Sequence, residues 1–171
     1  IEPIPKIFNK LKKNIKRFSK QKAFKYLLTN IENQDINFKI ANNAGQSSSI
    51  LELNQHKDIW PNIEYTSSIK LKSSTLKNVI KYEKIDIKKY QALIMDTQGS
   101  ELLVLKGGSS LLKNFRYIKT EAADFESYKE CCLIKDLSNY LNKYGFKEIK
   151  KIKFATRKGG GNYFDILYER K

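Results

Sequence analysis

The segment that most constrains the fold runs from Ala92 to Leu112, where an apolar run meets a polar turn and then a helical pattern. Ala92–Met95 is continuously apolar and ends at Asp96, which is typical of a buried parallel strand. Thr97–Gly99 forms a turn, and Glu101 falls in the first turn of a helix predicted to run through Leu112. A strand, a turn and a helix in this order are the repeating unit of a sheet with crossover helices.

The rest of the sequence continues this alternation. Strands are predicted at Ala23–Thr29, Ile36–Ala41, Ile69–Leu71 and Tyr117–Glu121, and helices directly after Pro3 and Pro5, at Leu76–Tyr82 and at Leu133–Tyr144. A glycine-rich turn joins two final strands, at about Lys147–Phe154 and Tyr163–Arg170, into a hairpin. We therefore expect a single α/β domain over residues 1–171, with a mostly parallel sheet and a C-terminal antiparallel hairpin.

The net charge of +15 raises the possibility of a nucleic-acid-binding protein. Lysines supply all but four of the 33 basic residues and are spread over the chain, whereas base-reading proteins favour the arginine fork. We interpret them as a solvated surface and expect no specific nucleic-acid partner. Cys131 and Cys132 are adjacent without a second pair, so neither a zinc site nor a disulfide framework is indicated, and a cytoplasmic location is expected. No apolar run is long enough to span a membrane.

Four polar residues stand at the ends of predicted strands or at the start of a helix: Glu2, Asn30, Asp96 and Glu121. Ligands of such sheets bind at the carboxyl ends of the strands, where the strand order reverses. We therefore expect these four side chains to lie near one site. Glu121 follows the strand next to that of Asp96, so the two carboxyls can share a proton, hold a cation or divide acid and base roles, unless a lysine pairs with Glu121.

A second group of candidates lies between residues 46 and 60. Imidazole titrates near neutral pH, so His56, the one histidine, is a candidate base; alternatively it is a surface residue. Gln46, Ser47 and Ser48 are polar loop residues that can hydrogen-bond an acceptor such as a glycan, or simply face solvent. Trp60 is either an apolar platform for a sugar ring or part of the core.

Several segments together resemble the FkbM-like family of methyltransferases. They are IEPIPKIFNKLKKNI at the start, ANNAGQSSSI, IKLKSSTLKNVI, IMDTQGSELLVLKGG, YIKTE and the closing NYFDILYER. The resemblance implies a Rossmann-like class I fold, S-adenosylmethionine as methyl donor, and a hydroxyl on a sugar, glycan or similar polyol as acceptor. It departs at Lys77, where the family usually has aspartate.

The resemblance also assigns roles to the strand-end residues. Glu2 stands where a carboxylate would accept the ribose hydroxyls, although it could instead stabilise the start of its helix. Asn30 is a candidate for the adenine edge, or a plain turn residue. Asp96 could bind the donor's amino group, orient the acceptor or take its proton; otherwise it only fixes the turn that follows.

The first strand of the family and its glycine-containing cofactor loop have no counterpart in the sequence. We therefore expect an N-terminally incomplete domain in which one edge of Ala92–Met95 lacks a partner. This absence leaves a second hypothesis open, a methyltransferase-like domain without catalysis that binds nucleic acid or another partner.

Overall fold

A computed structural model describes all 171 residues. Its helices are α1 (Pro5–Ile15), α2 (Leu76–Tyr82), α3 (Glu101–Gly107) and α4 (Ile134–Asn142). Its strands are β1 (Leu27–Leu28), β2 (Asp35–Ala41), β3 (Tyr65–Ser74), β4 (Ala92–Met95), β5 (Tyr117–Ala123), β6 (Phe146–Thr156) and β7 (Asn162–Arg170). Three short 3₁₀ helices lie at Gln55–Asp58, Ile87–Lys89 and Ser109–Asn114. No helix is both long and apolar enough to cross a membrane.

The strands form two mixed sheets, with the orders β1-β3-β2 and β4-β5-β7-β6. The pairs β1–β3 and β4–β5 are parallel, whereas β2–β3, β5–β7 and β6–β7 are antiparallel. The α/β class is as predicted, but the strands of this chain form two mixed sheets rather than one mostly parallel sheet. β2 and β3 pair as an antiparallel couple, and β7 lies antiparallel between β5 and β6.

Strand β4 differs from its prediction in burial. It pairs with β5 along one edge, and no strand of the chain pairs with its other edge, as expected. The predicted burial is wrong for half of it, because Ala92 is exposed and Ile94 is 73% exposed. Alternation sends Leu93 and Met95 to the opposite face, where Met95 joins the core.

The main hydrophobic core lies between the four-stranded sheet and two helices. Ile118 of β5 and Ile166 of β7 pack there with Leu105 of α3 and Leu137 of α4, and all four are fully buried. Because strand residues alternate, the opposite face of β5 carries Lys119 and Glu121. One face of this sheet therefore holds the fold together and leaves the other face available for chemistry.

Helix α3 ends five residues before its predicted end. A Cβ on Gly107 would stand 2.2 Å from the carbonyl oxygen of Thr29, so the end of β1 packs directly on the helix. The chain then continues into the 3₁₀ helix Ser109–Asn114 instead of a longer α-helix. This contact places the end of β1 beside the segment that follows β4.

Candidate functional site

The turn after β4 is held from inside by a buried carboxylate. Glu101 is 2% exposed, and its Oε1 accepts hydrogen bonds from the Thr97 amide at 2.8 Å, the Thr97 hydroxyl at 3.1 Å and the Gly99 amide at 3.3 Å. Burial raises the pKa of Glu101, while the hydrogen bonds from Thr97 oppose that rise. Glu101 thus fixes the turn, and its carboxylate is not directed to a ligand.

This turn presents Asp96 and Gln98 in a fixed arrangement. Gln98 has a φ of 51°, and its Nε2 donates to Asp96 Oδ1 at 2.6 Å. Its Oε1 accepts a hydrogen bond from the Tyr128 hydroxyl at 2.5 Å. Although Asp96 keeps an accessible surface, the surrounding protein raises its pKa, and the hydrogen bonds from Gln98 act in the opposite direction.

A first cavity, of about 300 Å³, opens on one side of this turn. Its lining combines apolar side chains such as Ile4 and Leu28 with Glu2 at one place and Asp96 at another. Glu2 accepts a hydrogen bond from the Ile4 amide at 2.7 Å through Oε1, which is the helix-start role, and Oε2 makes no hydrogen bond. Burial raises the pKa of Glu2, and the Ile4 amide lowers it. Glu2 therefore stabilises the start of α1 and keeps one oxygen for a ligand.

Asn30 does not reach this cavity. It is exposed in the turn after β1 and is absent from the lining residues. The Thr29 hydroxyl donates to the Ile31 carbonyl at 2.9 Å and accepts from its amide at 3.1 Å, so the chain turns away at this point. Of the three residues proposed for the donor, the structure brings Glu2 and Asp96 together.

A second cavity, of about 470 Å³, lies on the other side of the turn. It is lined by residues from four parts of the chain: Asn43, Gln46, Ser47, His56, Trp60, Ile63, Asp96, Gln98, Glu121 and Phe154. Asp96, Gln98 and Gln46 line both cavities. These three residues form the shared wall between the two cavities, so a group passing from one ligand to another would cross beside them.

His56 is part of the protein interior rather than a surface residue. It is 4% exposed, with Nδ1 2.8 Å from the Tyr163 hydroxyl and Nε2 3.3 Å from Ser47 Oγ. Its ring lies 4.6 Å from that of Trp60 and 5.1 Å from that of Tyr128, measured between centroids. Burial lowers the pKa of His56 to about 4, so the imidazole is neutral at physiological pH.

Glu121 faces the same cavity without a lysine partner. Lys119, its neighbour, pairs instead with Asp165 at 3.0 Å. Burial raises the pKa of Glu121 to about 8, with further contributions from the charges of Asp96, Glu101 and Asp165. The carboxyl thus exchanges its proton in the range where a base for an alcohol is useful.

The polar loop contributes to both cavities. Ser47 is buried in the second cavity, and its Oγ also accepts a hydrogen bond from the Asn43 amide group at 2.9 Å. Ser48 lines the first cavity and accepts a hydrogen bond from the Ala41 amide at 3.0 Å, so it lies apart from Ser47, with which the sequence analysis grouped it. Trp60 is half-buried, packs on His56 and Tyr163, and still lines the second cavity.

Sequence reasoning missed four residues of this site: Gln98, Tyr128, Phe154 and Tyr163. Gln98 stands two residues after Asp96, in the turn that follows this candidate site residue. Its side-chain amide, which can hydrogen-bond a ligand, could have identified it as a further candidate. The three aromatic residues carried no such signal, because Phe154 and Tyr163 stand in predicted strands, where an aromatic residue suggests packing, and Tyr128 stands in a polar stretch without a motif.

One of three comparisons with known proteins gives a match. The family model described as the methyltransferase FkbM domain matches residues 1–148. No curated protein and no solved structure gives a significant match.

Proposed function

The chain belongs to the FkbM family of S-adenosylmethionine-dependent methyltransferases, and from this premise we propose that it moves a methyl group from that donor to a hydroxyl of a sugar, glycan or similar polyol. The observation that carries the proposal is the wall of Asp96, Gln98 and Gln46 shared by two cavities. Direct methyl transfer needs donor and acceptor in line and in contact, which two cavities that meet beside shared lining residues allow.

The first cavity fits the donor. S-adenosylmethionine supplies a methyl group on a positively charged sulfur when bound. The free Oε2 of Glu2 suits paired ribose hydroxyls, and the Asp96 carboxylate suits a cationic part of the same ligand. Apolar neighbours such as Ile4 and Leu28 offer a surface for a flat ring.

The second cavity fits an uncharged, hydroxyl-rich acceptor. Its lining holds three side-chain amides and the Ser47 hydroxyl, and it contains neither lysine nor arginine despite the charge of the chain. Trp60 and Phe154 add apolar surface that suits the face of a sugar ring. A phosphate or carboxylate group would find no cation here and would face Asp96 and Glu121.

We assign proton removal to Glu121 and acceptor orientation to neutral His56. As the acceptor oxygen forms its bond to the methyl carbon, the carbon–sulfur bond breaks and the hydroxyl proton passes to the Glu121 carboxylate. His56 already hydrogen-bonds Tyr163 and Ser47, so its ring can fix the hydroxyls that line the cavity. Asp96 lies between the two ligands and orients both.

The test is single-turnover transfer from labelled donor to a panel of sugars, small alcohols and nucleic acids. We expect Glu121→Gln and Asp96→Asn each to lower the rate by about a hundredfold, the usual contribution of a positioned acid or base. The matched control is Glu64→Gln, because Glu64 is exposed, lies outside both cavities and does not contribute to the pKa shift of Glu121. Rates equal to the unsubstituted protein in both variants would remove the paired carboxylates from the mechanism.

The pH dependence separates Glu121 from His56 as the base. A base works when deprotonated, so with Glu121 the rate constant rises with pH through about 8 and levels off above it. With His56 as the base, the rise would occur near pH 4, and His56→Ala would abolish it. A profile that is flat between pH 6 and pH 9 would exclude the Glu121 assignment; these limits bracket about one unit or more on each side of its pKa.

We also propose that the two sheets belong to one Rossmann-like sheet, with a further strand between β1 and β4. The free edge of β4 supports this, and so does an apolar slot of about 480 Å³ beside it. The slot is lined by Leu76, Ile80, Leu93 and Phe115, among others. A strand added there would extend the parallel ladder and cover these side chains.

A further inference from the structure

One strongly basic segment near the start of the chain contains no acidic residue. We call residues 6–25 the basic strip. It contains eight lysines and Arg17, and no carboxylate occurs between Glu2 and Glu32. The strip therefore carries nine of the 15 net positive charges of the chain in 20 residues, and all nine side chains are exposed. It comprises α1 and the segment that leads to β1.

None of these nine cations has an ionic partner in the chain. The seven salt bridges of the protein all use other basic residues, from Lys39 to Arg157. Elsewhere the lysines are partly compensated, as where Lys151 pairs with Glu148 on β6 at 3.7 Å. The strip is thus an uncompensated positive surface, which attracts anions and repels other cations.

The strip also exposes apolar surface. Helix α1 is amphipathic but has no fully buried residue, and Phe18 just beyond it is 44% exposed. An open groove of about 410 Å³ runs beside it, with Ile15, Phe18 and Phe24 among its apolar residues. Lys12, Lys16 and Lys22 also line this groove, so cationic and apolar groups share one surface.

We propose that the basic strip docks on the surface of a lipid bilayer that contains anionic lipids. Lysines at such a surface attract the anionic headgroups, and the exposed Phe18 ring can enter the boundary between headgroups and acyl chains. Each lysine near such a surface adds to the attraction. The groove with its three lysines offers places for an acyl chain and for a headgroup phosphate together.

The composition of the strip favours a bilayer over nucleic acid. Eight of its nine cations are lysines, which act as point charges, whereas nucleic-acid sites rely on the flat arginine fork and on aromatic platforms for bases. Phe18 is the one exposed aromatic residue of the strip, too few to form a platform on which successive bases stack. This proposal does not depend on the methyltransferase chemistry.

The experiment is co-sedimentation with vesicles of phosphatidylcholine, with and without phosphatidylglycerol. We expect binding to the anionic vesicles alone. Replacing Lys12, Lys13, Lys16 and Lys20 together by glutamine should weaken that binding on the order of a hundredfold. The matched control replaces Lys147, Lys150, Lys151 and Lys153 of β6, which removes the same charge from another exposed surface, and should weaken it only a few-fold.

Two further arms complete the test. Phe18→Ser leaves the charge intact and should lower the binding that survives at high salt, where screening weakens the lysines. Circular dichroism of each variant confirms that α1 is retained. Equal losses in the two lysine variants would reduce the effect to a general charge field and overturn the proposal. So would an absence of anionic-vesicle binding, or tighter binding to RNA that displaces the vesicles.

Discussion

The two halves of the chain are stabilised by different means. Residues 92–171 contain all 12 members of the main hydrophobic core, among them Leu105 and Ile118. In residues 1–91, buried polar residues outnumber buried apolar ones. The loop serines there form hydrogen bonds with backbone groups and with a nearby asparagine side chain. The C-terminal half therefore resembles an ordinary packed domain, whereas the N-terminal half depends on polar contacts and on its junction with the other half.

The proposed site contains residues from both halves of the chain. Asp96 directly follows β4 and Glu121 lies on β5, and these two paired strands pack against the core through Met95 and Ile118, so packing restricts the relative movement of the two carboxyls. Glu2 and the loop around Ser47 belong to the less packed half and line the outer parts of the cavities. Substitutions in the two halves should accordingly differ in whether they affect folding or binding.

The largest expected effect is on stability in the C-terminal half. Leu105→Ala empties space in a fully buried site and should lower the free energy of unfolding by about 2–5 kcal/mol. Leu11→Ala in α1 removes a half-buried side chain and should cost about 1 kcal/mol or less, since little apolar area is lost from burial. Urea denaturation followed by circular dichroism measures both. Similar losses would show that the two halves are packed alike.

The sequence predicted local structure well where local chemistry decides it. The helix start at Thr75, whose hydroxyl accepts from the Asn78 amide, and the turn at Gly145 with its φ of 82° follow from residue preferences. The β6–β7 hairpin was likewise predicted from the sequence. So was the strand that follows helix α1, although β1 is only two residues long.

Long-range pairing could not be predicted in the same way. The insertion of β7 between β5 and β6 depends on contacts across the whole C-terminal half, and no local pattern specifies it. The same holds for the site: His56 and Tyr163 are 107 positions apart, and nothing near either residue indicates their hydrogen bond. Asp96 and Glu121 could be predicted as candidate site residues from local sequence, because Asp96 follows an apolar run and Glu121 ends a predicted strand.

An intermediate effect is expected at Glu2, in the less packed half. Glu2→Ala should weaken binding of S-adenosylhomocysteine by about 1–3 kcal/mol, because charged hydrogen bonds to the ligand are lost. Isothermal titration calorimetry measures this, with Glu64→Ala as the control, since Glu64 is exposed and lies outside both cavities. Affinity unchanged by Glu2→Ala would contradict the ribose assignment while leaving the acceptor side untouched.

The smallest expected effect concerns the junction between the halves. The Tyr128 hydroxyl donates to Gln98 Oε1 at 2.5 Å and lies 3.5 Å from the Ser47 carbonyl oxygen, so it joins the turn after β4 to the polar loop. The Ser49 hydroxyl adds a second link by donating to the Gln98 carbonyl at 2.8 Å. Tyr128 is thus a positioning residue that holds Gln98 against Asp96.

Tyr128→Phe removes the hydroxyl alone and should cost about 0.5–1.5 kcal/mol of stability, the usual net value of one hydrogen bond. Its more specific consequence is electrostatic. The hydrogen bond from Gln98 lowers the pKa of Asp96 against the effect of burial, so a Gln98 side chain that has lost its anchor should let that pKa rise. Carbon-13 NMR of the Asp96 carboxyl should then show a higher titration midpoint in the variant. Tyr168→Phe is the matched control, because the Tyr168 hydroxyl bonds Ser138 on the opposite face of the sheet. If both variants shift Asp96 equally, or neither does, Tyr128 only fills space, and the shared wall of the two cavities is set by the Glu101-anchored turn without help from the polar half.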